Sequence, residues 1–241
     1  MGAGLTARIA RRVDAVIVSD VHCDGPGSPT QREFLRFLGA VRPRVLVLAG
    51  DVFHAFAAPR GVVFPAYRPV VEALGEQALV VLPGNHDWLF RAVVGEADGV
   101  AIGTTWRGRL GGLDAVVTHG DEVDRSAAYR GFHAVLRSRG FAVLLDRLGE
   151  DGAWRLLHRL AGPLGHGEPS ARLVAGQRAL AAVRAGEGAE LVVMGHTHAP
   201  ELTRVGAAWF LNPGDWLRHR TYGVVEGREV RLEKWETGEG S

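Results

Sequence analysis

Short apolar runs recur along the chain, and each ends in small or polar residues. Residues 13–19 (VDAVIVS), 44–49 (RVLVLA), 78–82 (ALVVL), 114–118 (DAVVT) and 190–194 (ELVVM) are rich in Val, Leu and Ile. Runs of that length, bounded by Gly or polar residues, read as buried strands. Between the first two, Phe34, Leu35, Phe37, Leu38 and Val41 recur at helical spacing, which predicts a helix over 31–41. Thr30 and Glu33 have capping-box spacing, and Pro43 closes the segment. Residues 52–65 read as a Phe-rich loop and 67–76 as a helix. Residues 207–211, 223–225 and 229–235 read as closing strands, while 1–12 and 237–241 read as loose ends.

The rhythm changes between residues 122 and 186, where no strand pattern occurs. Apolar positions predict one or two helices over 129–148, and two more at 154–160 and 171–184. The length of 241 residues then suits one α/β domain, 1–241, carrying a helical insertion at about 122–186.

Charge changes that picture only locally. The net charge is +1, so nothing global favours nucleic acid as a partner. The insertion holds ten arginines against six acids, and Lys234 is the single lysine of the chain. Cys23 is the only cysteine, which excludes a disulfide framework and a thiolate metal cluster and fits a reducing, cytoplasmic setting. No stretch approaches 18 continuous apolar residues, so no membrane span is expected.

Candidate chemistry sits where the runs end: Asp20 and His22, Asp51, Asn85, His119, and His196 with His198. Ligands of open sheets bind beyond the carboxyl ends of strands. If the extended backbone continues, period-two alternation turns Asp20 and His22 the same way, and likewise His196 and His198. Oxygen and imidazole donors without sulfur suit Mn²⁺, Fe or Zn²⁺. Seven ligands exceed the needs of one ion, whereas two ions about 3.5–4 Å apart use them by sharing a carboxylate. That arrangement lowers the pKa of a bound water and clamps a phosphoryl group.

The motifs Asp20-Val21-His22, Gly50-Asp51-Val52-Phe53-His54, Gly84-Asn85-His86-Asp87, His119-Gly120-Asp121 and Gly195-His196-Thr197-His198 resemble those of the calcineurin-like metallophosphoesterases. The resemblance implies a four-layered α/β/β/α sandwich of two mixed sheets. It implies one ion on Asp20, His22, Asp51 and His198, and a second on Asp51, Asn85, His119 and His196. His86 would stand beside the phosphate as electrostatic stabiliser or proton donor, Asp87 would orient His86, and Asp121 would support His119. His54 is a further candidate contact. His133, His158, His166 and His219 fall outside the motifs and stay unassigned.

Three features resemble the UDP-2,3-diacylglucosamine pyrophosphohydrolase branch: the insertion, the run Gly50–Phe56, and Asn212-Pro213-Gly214-Asp215-Trp216 followed by Thr221-Tyr222. That branch implies attack of a metal-activated water on the pyrophosphate, releasing UMP and lipid X. It implies a lid over the acyl chains and peripheral contact with the inner membrane surface. Two positions depart from it, namely His86 where the branch carries Arg, and Ser126 where it carries an Asp ahead of Tyr129. Arg125 and Arg130 then become candidate phosphate contacts beside Tyr129. The rivals are a phosphodiesterase or phosphatase for a nucleotide or other small phosphoester, and a scaffold without catalysis.

Overall fold

The computed structural model describes residues 13–56, 63–88, 100–161 and 169–236. The expected loose ends, the middle of the Phe-rich loop and His166 lie outside the described residues.

The strands are β1 (Ala15–Val18), β2 (Val45–Ala49), β3 (Leu79–Leu82), β4 (Val100–Ile102), β5 (Thr105–Leu110), β6 (Leu113–Thr118), β7 (Leu191–Val193), β8 (Glu201–Val205), β9 (Ala208–Asn212), β10 (Thr221–Glu226) and β11 (Glu229–Lys234). The helices are α1 (Pro29–Ala40), α2 (Arg68–Gly75), α3 (Ala127–Leu136), α4 (Arg139–Ala161) and α5 (Ala171–Gly186). One sheet has the order β11-β10-β1-β2-β3-β4 and the other β5-β6-β7-β9-β8. Each is mixed. β1 to β4 run parallel, β10 joins β1 antiparallel, and β11 pairs antiparallel with β10 at the edge. β6, β7 and β9 run parallel between antiparallel edges β5 and β8.

Strand alternation sorts the core into layers. Ile17, Val47, Val80, Val117 and Val193 face the space between the sheets. Their neighbours Val16, Leu46, Val81 and the helix residues Phe34, Phe37 and Leu74 fill the outer face of the first sheet. Val116, Val192 and Met194 pack on Ala181 of α5, outside the second sheet. The expected α/β/β/α sandwich is therefore what the chain forms.

Some local expectations needed correction. Residue 28, not 30, caps α1: the Ser28 hydroxyl accepts from the Gln31 amide at 3.4 Å, with Pro29 in the first turn. Glu33 instead pairs with Arg36 and accepts from the Trp235 indole. The separate helix expected at 154–160 is the second half of α4, which is broken at Gly149 (φ 65°). Edge strands β5 and β8 escaped the apolar pattern because charged Arg107, Arg109, Glu201 and Arg204 interrupt them, a common defence of exposed edges.

The insertion packs unevenly. Phe141, Leu145, Ala153 and Leu157 of α4 join the first core. Trp154 seals the contact against Phe64 (5.3 Å between rings) and Tyr67 (5.1 Å). Phe132, Val135, Val143, Leu144, Leu148 and Leu160, all on α3 and α4, remain exposed.

Candidate metal centre

The expected donors do converge, but not through extended backbone. Asp20, His22, Asp51, His196 and His198 all have left-handed φ, between 50° and 67°. Each strand stops and the chain turns sharply, so these turns, not strand alternation, aim the side chains. Asp and His tolerate this region better than bulky residues do, at a cost of roughly 1–3 kcal/mol per site.

Glycines make room for the turns. A side chain on Gly84 would collide with the Asp51 carboxylate, and a Cβ on Gly195 would stand 2.5 Å from Asp20 Oδ2. The glycine of one motif is thus fitted to the ligand of another.

Two groups of donors result. His22 Nε2 lies 3.3 Å from His198 Nε2, which lies 3.3 Å from Asp20 Oδ1. Asn85 Oδ1 lies 3.1 Å from His119 Nε2 and 3.0 Å from His196 Nδ1, and His119 Nε2 lies 3.3 Å from Asp51 Oδ2. Donor atoms of Asp20, Asp51 and His119 lie within 4.8 Å of one another, so the groups abut. His119 Nδ1 donates to the Ala49 carbonyl at 2.9 Å, which points the Nε2 lone pair at Asn85 and Asp51. Carboxylate, amide and imidazole groups crowded at this range fit a cation between them, and the residues suit divalent metal.

The electrostatics split the imidazoles: adjoining carboxylates favour charge on His119 and His198, and burial opposes it on His22 and His196. Burial opposes charge on His119, but the adjoining Asp51 carboxylate outweighs it and raises the pKa well above the ordinary value. Burial lowers His22 well below its ordinary value and brings His196 to about 4, leaving neutral imidazoles suited to ligation. Burial also pushes the neighbouring Cys23 thiol up, so it has no thiolate character near neutral pH.

The supporting residues differ from expectation in two places. The Asp87 carboxylate makes no hydrogen bond to the His86 ring among the described residues. It accepts from the backbone amides of Gly84 (2.7 Å), Val52 (2.7 Å), Asp51 (3.2 Å) and Phe53 (3.4 Å), tying two motif loops together. Burial and then Asp51 raise this carboxyl to about 6. The His86 ring is set by its Nδ1 donating to the His54 carbonyl at 2.7 Å, and the His86 amide donates to Asp51 Oδ1 at 2.8 Å. Asp121 likewise accepts from Tyr129 Oη at 3.0 Å rather than from His119. The buried His54 ring stands 5.6 Å from that of His86 and 6.0 Å from that of His22. Arg125 and Arg130 are exposed and hold none of the bonds of the cluster among the described residues.

Other supports were not assigned from sequence. Asp215 is fully buried, 3.5 Å from His198 Nδ1, and accepts from the amides of Arg218 (2.7 Å) and His219 (3.2 Å). Its place in the Asn212–Trp216 run was the available signal. Gln177 of α5 donates to the Gly195 carbonyl at 2.7 Å and accepts from Thr197 Oγ1 at 3.0 Å and Asn212 Nδ2 at 3.2 Å. It braces the loop carrying His196 and His198, and nothing in a helical sequence distinguishes such a glutamine.

A cavity of about 220 Å³ opens beside Asn85 and His86. Its polar lining is completed by His54, Tyr129 and His133, and its apolar lining includes Trp88, Phe132, Leu136, Leu157 and Leu160. The insertion therefore supplies much of the wall.

The family model for calcineurin-like phosphoesterases matches residues 15–200. No curated protein matches the sequence. Among solved structures, a novel archaeal phosphodiesterase is similar at 16% identity, with 91% of this chain and 98% of that chain covered and a TM-score of 0.51. YfcE, a phosphoesterase from E. coli, is similar at 20% identity (91% and 92% covered, TM-score 0.44). So is Vps29 of Entamoeba histolytica complexed with zinc, at 15% identity (91% and 96% covered, TM-score 0.42).

Proposed function

The chain belongs to the calcineurin-like phosphoesterases, and from that premise we propose that it hydrolyses a phosphoester carrying an apolar arm, UDP-2,3-diacylglucosamine being the specific candidate. Asp20, His22, Asp51 and His198 would hold one divalent ion, and Asp51, Asn85, His119 and His196 the other, with Mn²⁺ the proposed metal. Such a pair, when bound, supplies an activated water and neutralises charge on the phosphoryl oxygens. His86 then acts beside the phosphate. Its Nδ1–H is committed to the His54 carbonyl, so its Nε2 is the atom left for substrate. From there it stabilises the phosphoryl oxygens or returns a proton to the leaving group. Asp87 keeps the loops of Asp51 and His86 in register, and Asp215 holds the His198 ring.

The observation that carries the reading is the cavity beside His86, whose wall of Phe132, Leu136, Leu157 and Leu160 favours an apolar arm over a nucleobase. Exposed apolar residues and exposed Arg130, Arg137, Arg139, Arg147, Arg155 and Arg159 share α3, α4 and the turn between them. That composition fits a peripheral contact with an anionic lipid surface. No helix among the described residues is long and apolar enough to cross a membrane.

Release of UMP from UDP-2,3-diacylglucosamine by the Mn²⁺-loaded protein tests the proposal. Turnover of bis(p-nitrophenyl) phosphate with no UMP release would leave the phosphoesterase and remove this substrate. A second reading, a compact phosphodiester, is favoured by one feature: no Arg or Lys lines the cavity among the described residues, whereas a pyrophosphate carries extra charge to be answered. The volume also lies below the roughly 300–1,000 Å³ of common ligand sites, so the diacyl substrate requires α3 and α4 to part.

A further inference from the structure

We propose that His133, contributed by the insertion, is a substrate-binding residue whose Nδ1 donates a hydrogen bond to an oxygen of the phosphoester held beside Asn85 and His86. The inference rests on the phosphoesterase reading and extends the site to a residue outside every motif.

Three observations carry it. His133 is 6% exposed, and its Nδ1 is buried with no hydrogen-bond partner. A buried polar atom left unpaired costs on the order of 1–3 kcal/mol, so a ligand that satisfies it is favoured. His133 also lines the same cavity as Asn85 and His86, and reaches it from the insertion. Finally, the ring is held in place. It packs on Tyr129 at 4.3 Å, one helical turn earlier, and Tyr129 is fixed by its bond to Asp121, next to the ligand-bearing His119-Gly120. Phe132 stands beside it at 5.6 Å but is largely exposed, so the buried position was given to the imidazole.

The alternative is a histidine that merely fills space under α3, and three substitutions separate the two. Asn places an amide near the Nδ1 position, Phe keeps the ring without nitrogen, and Ala removes both. With Mn²⁺-loaded protein and bis(p-nitrophenyl) phosphate, His133→Ala and His133→Phe should each lower kcat/KM by about 10- to 100-fold, the range for lost bonds to a charged group. His133→Asn should recover most of that loss, and metal content should equal the parent's throughout. The proposal is overturned if Phe restores activity, if Asn fails while folded and metal-loaded, or if all three variants match the parent. Should His133→Ala not fold, the Asn and Phe variants decide between themselves. Loss of metal in all three would also overturn it, because His133 would then be supporting the cluster. An inactive parent, or an Asp51→Ala variant as active as the parent, would instead remove the phosphoesterase reading itself.

Discussion

The strand-end cluster and the helical insertion are opposite solutions to holding polar chemistry. In the cluster, several groups are tied down by backbone bonds and close packing. Asp87 receives four backbone amides, His119 is held by a carbonyl, and motif glycines admit ligands at contact distance. In the insertion, α4 is interrupted at Gly149, apolar side chains face solvent, and Gly131 and Gly149 have open space around them. Segments with few buried contacts are those that open at low free-energy cost. The fixed geometry of the cluster and the looser packing of α3 and α4 thus lie in separate segments of the chain.

The largest expected effect breaks the cluster at its centre. Asp51→Ala should lose metal and lower kcat by at least about a thousandfold, beyond the cost of one lost stabilising donor. Metal analysis and turnover on one sample check it, and retained metal would refute the shared-carboxylate role.

A pair of glycine substitutions then contrasts the regions. Gly84→Ala drives a methyl into Asp51 and should destabilise by about 1–3 kcal/mol, with loss of metal affinity. Gly131→Ala, inside α3 with nothing near its Cβ position, should be neutral or stabilising by up to about 1 kcal/mol. Thermal unfolding of both variants measures the difference. Equal destabilisation would erase the contrast.

Asp215 provides a pH-dependent test. Burial opposes its charge, but the bonds from His198 and from the Arg218 and His219 amides outweigh burial and hold its carboxyl well below the usual range. The folded state therefore binds this proton less readily than the unfolded one. Its stabilisation is present above the ordinary carboxylate pKa of about 4 and is lost as pH falls below it. Asp215→Asn should cost about 1–2 kcal/mol near neutrality, and the gap from the parent should begin to narrow in unfolding curves taken below about pH 4, closing only as pH falls through the depressed folded-state pKa. A constant gap would assign the residue to packing.

Within the insertion, Leu160→Ser should lower the ratio of turnover on long-chain to short-chain esters by about tenfold, in line with one lost apolar contact. Unchanged chain-length preference would detach the cavity from substrate choice. The smallest effects belong to Arg125→Ala and Arg130→Ala. Each should raise KM about twofold to fivefold without altering metal content, since exposed charges are screened. Unchanged KM would remove both arginines from substrate contact.

The metal ligands are legible in the sequence because each is a local event: an apolar run, a glycine or small polar residue, then Asp, Asn or His. The same logic recovers β1, β2, β3, β6 and β7, whose buried strands are continuous in apolar character. It fails at β5 and β8, where one face is solvated, and at Thr30, since Ser28 and Thr30 are equally plausible caps from local chemistry. Asp87 and Asp121 stand out in the motifs, but the hydrogen bonds they make were not legible there, because motif spacing does not tell a side chain whether a ring or a backbone amide lies nearer.

What the sequence by itself determined is the inventory: oxygen and imidazole donors at five strand ends, no thiol beyond Cys23, and a helical, arginine-rich insertion. Those follow from residue identity and from periodicities of a few residues. Only the tertiary structure decided how the inventory is used. Left-handed turns aim Asp20, His22, Asp51, His196 and His198, Gln177 and Asp215 reach them from far along the chain, and α3 carries His133 to the cavity beside His86. These are long-range packing outcomes, set by which surfaces the two sheets and the insertion bury against each other, and no local pattern encodes them.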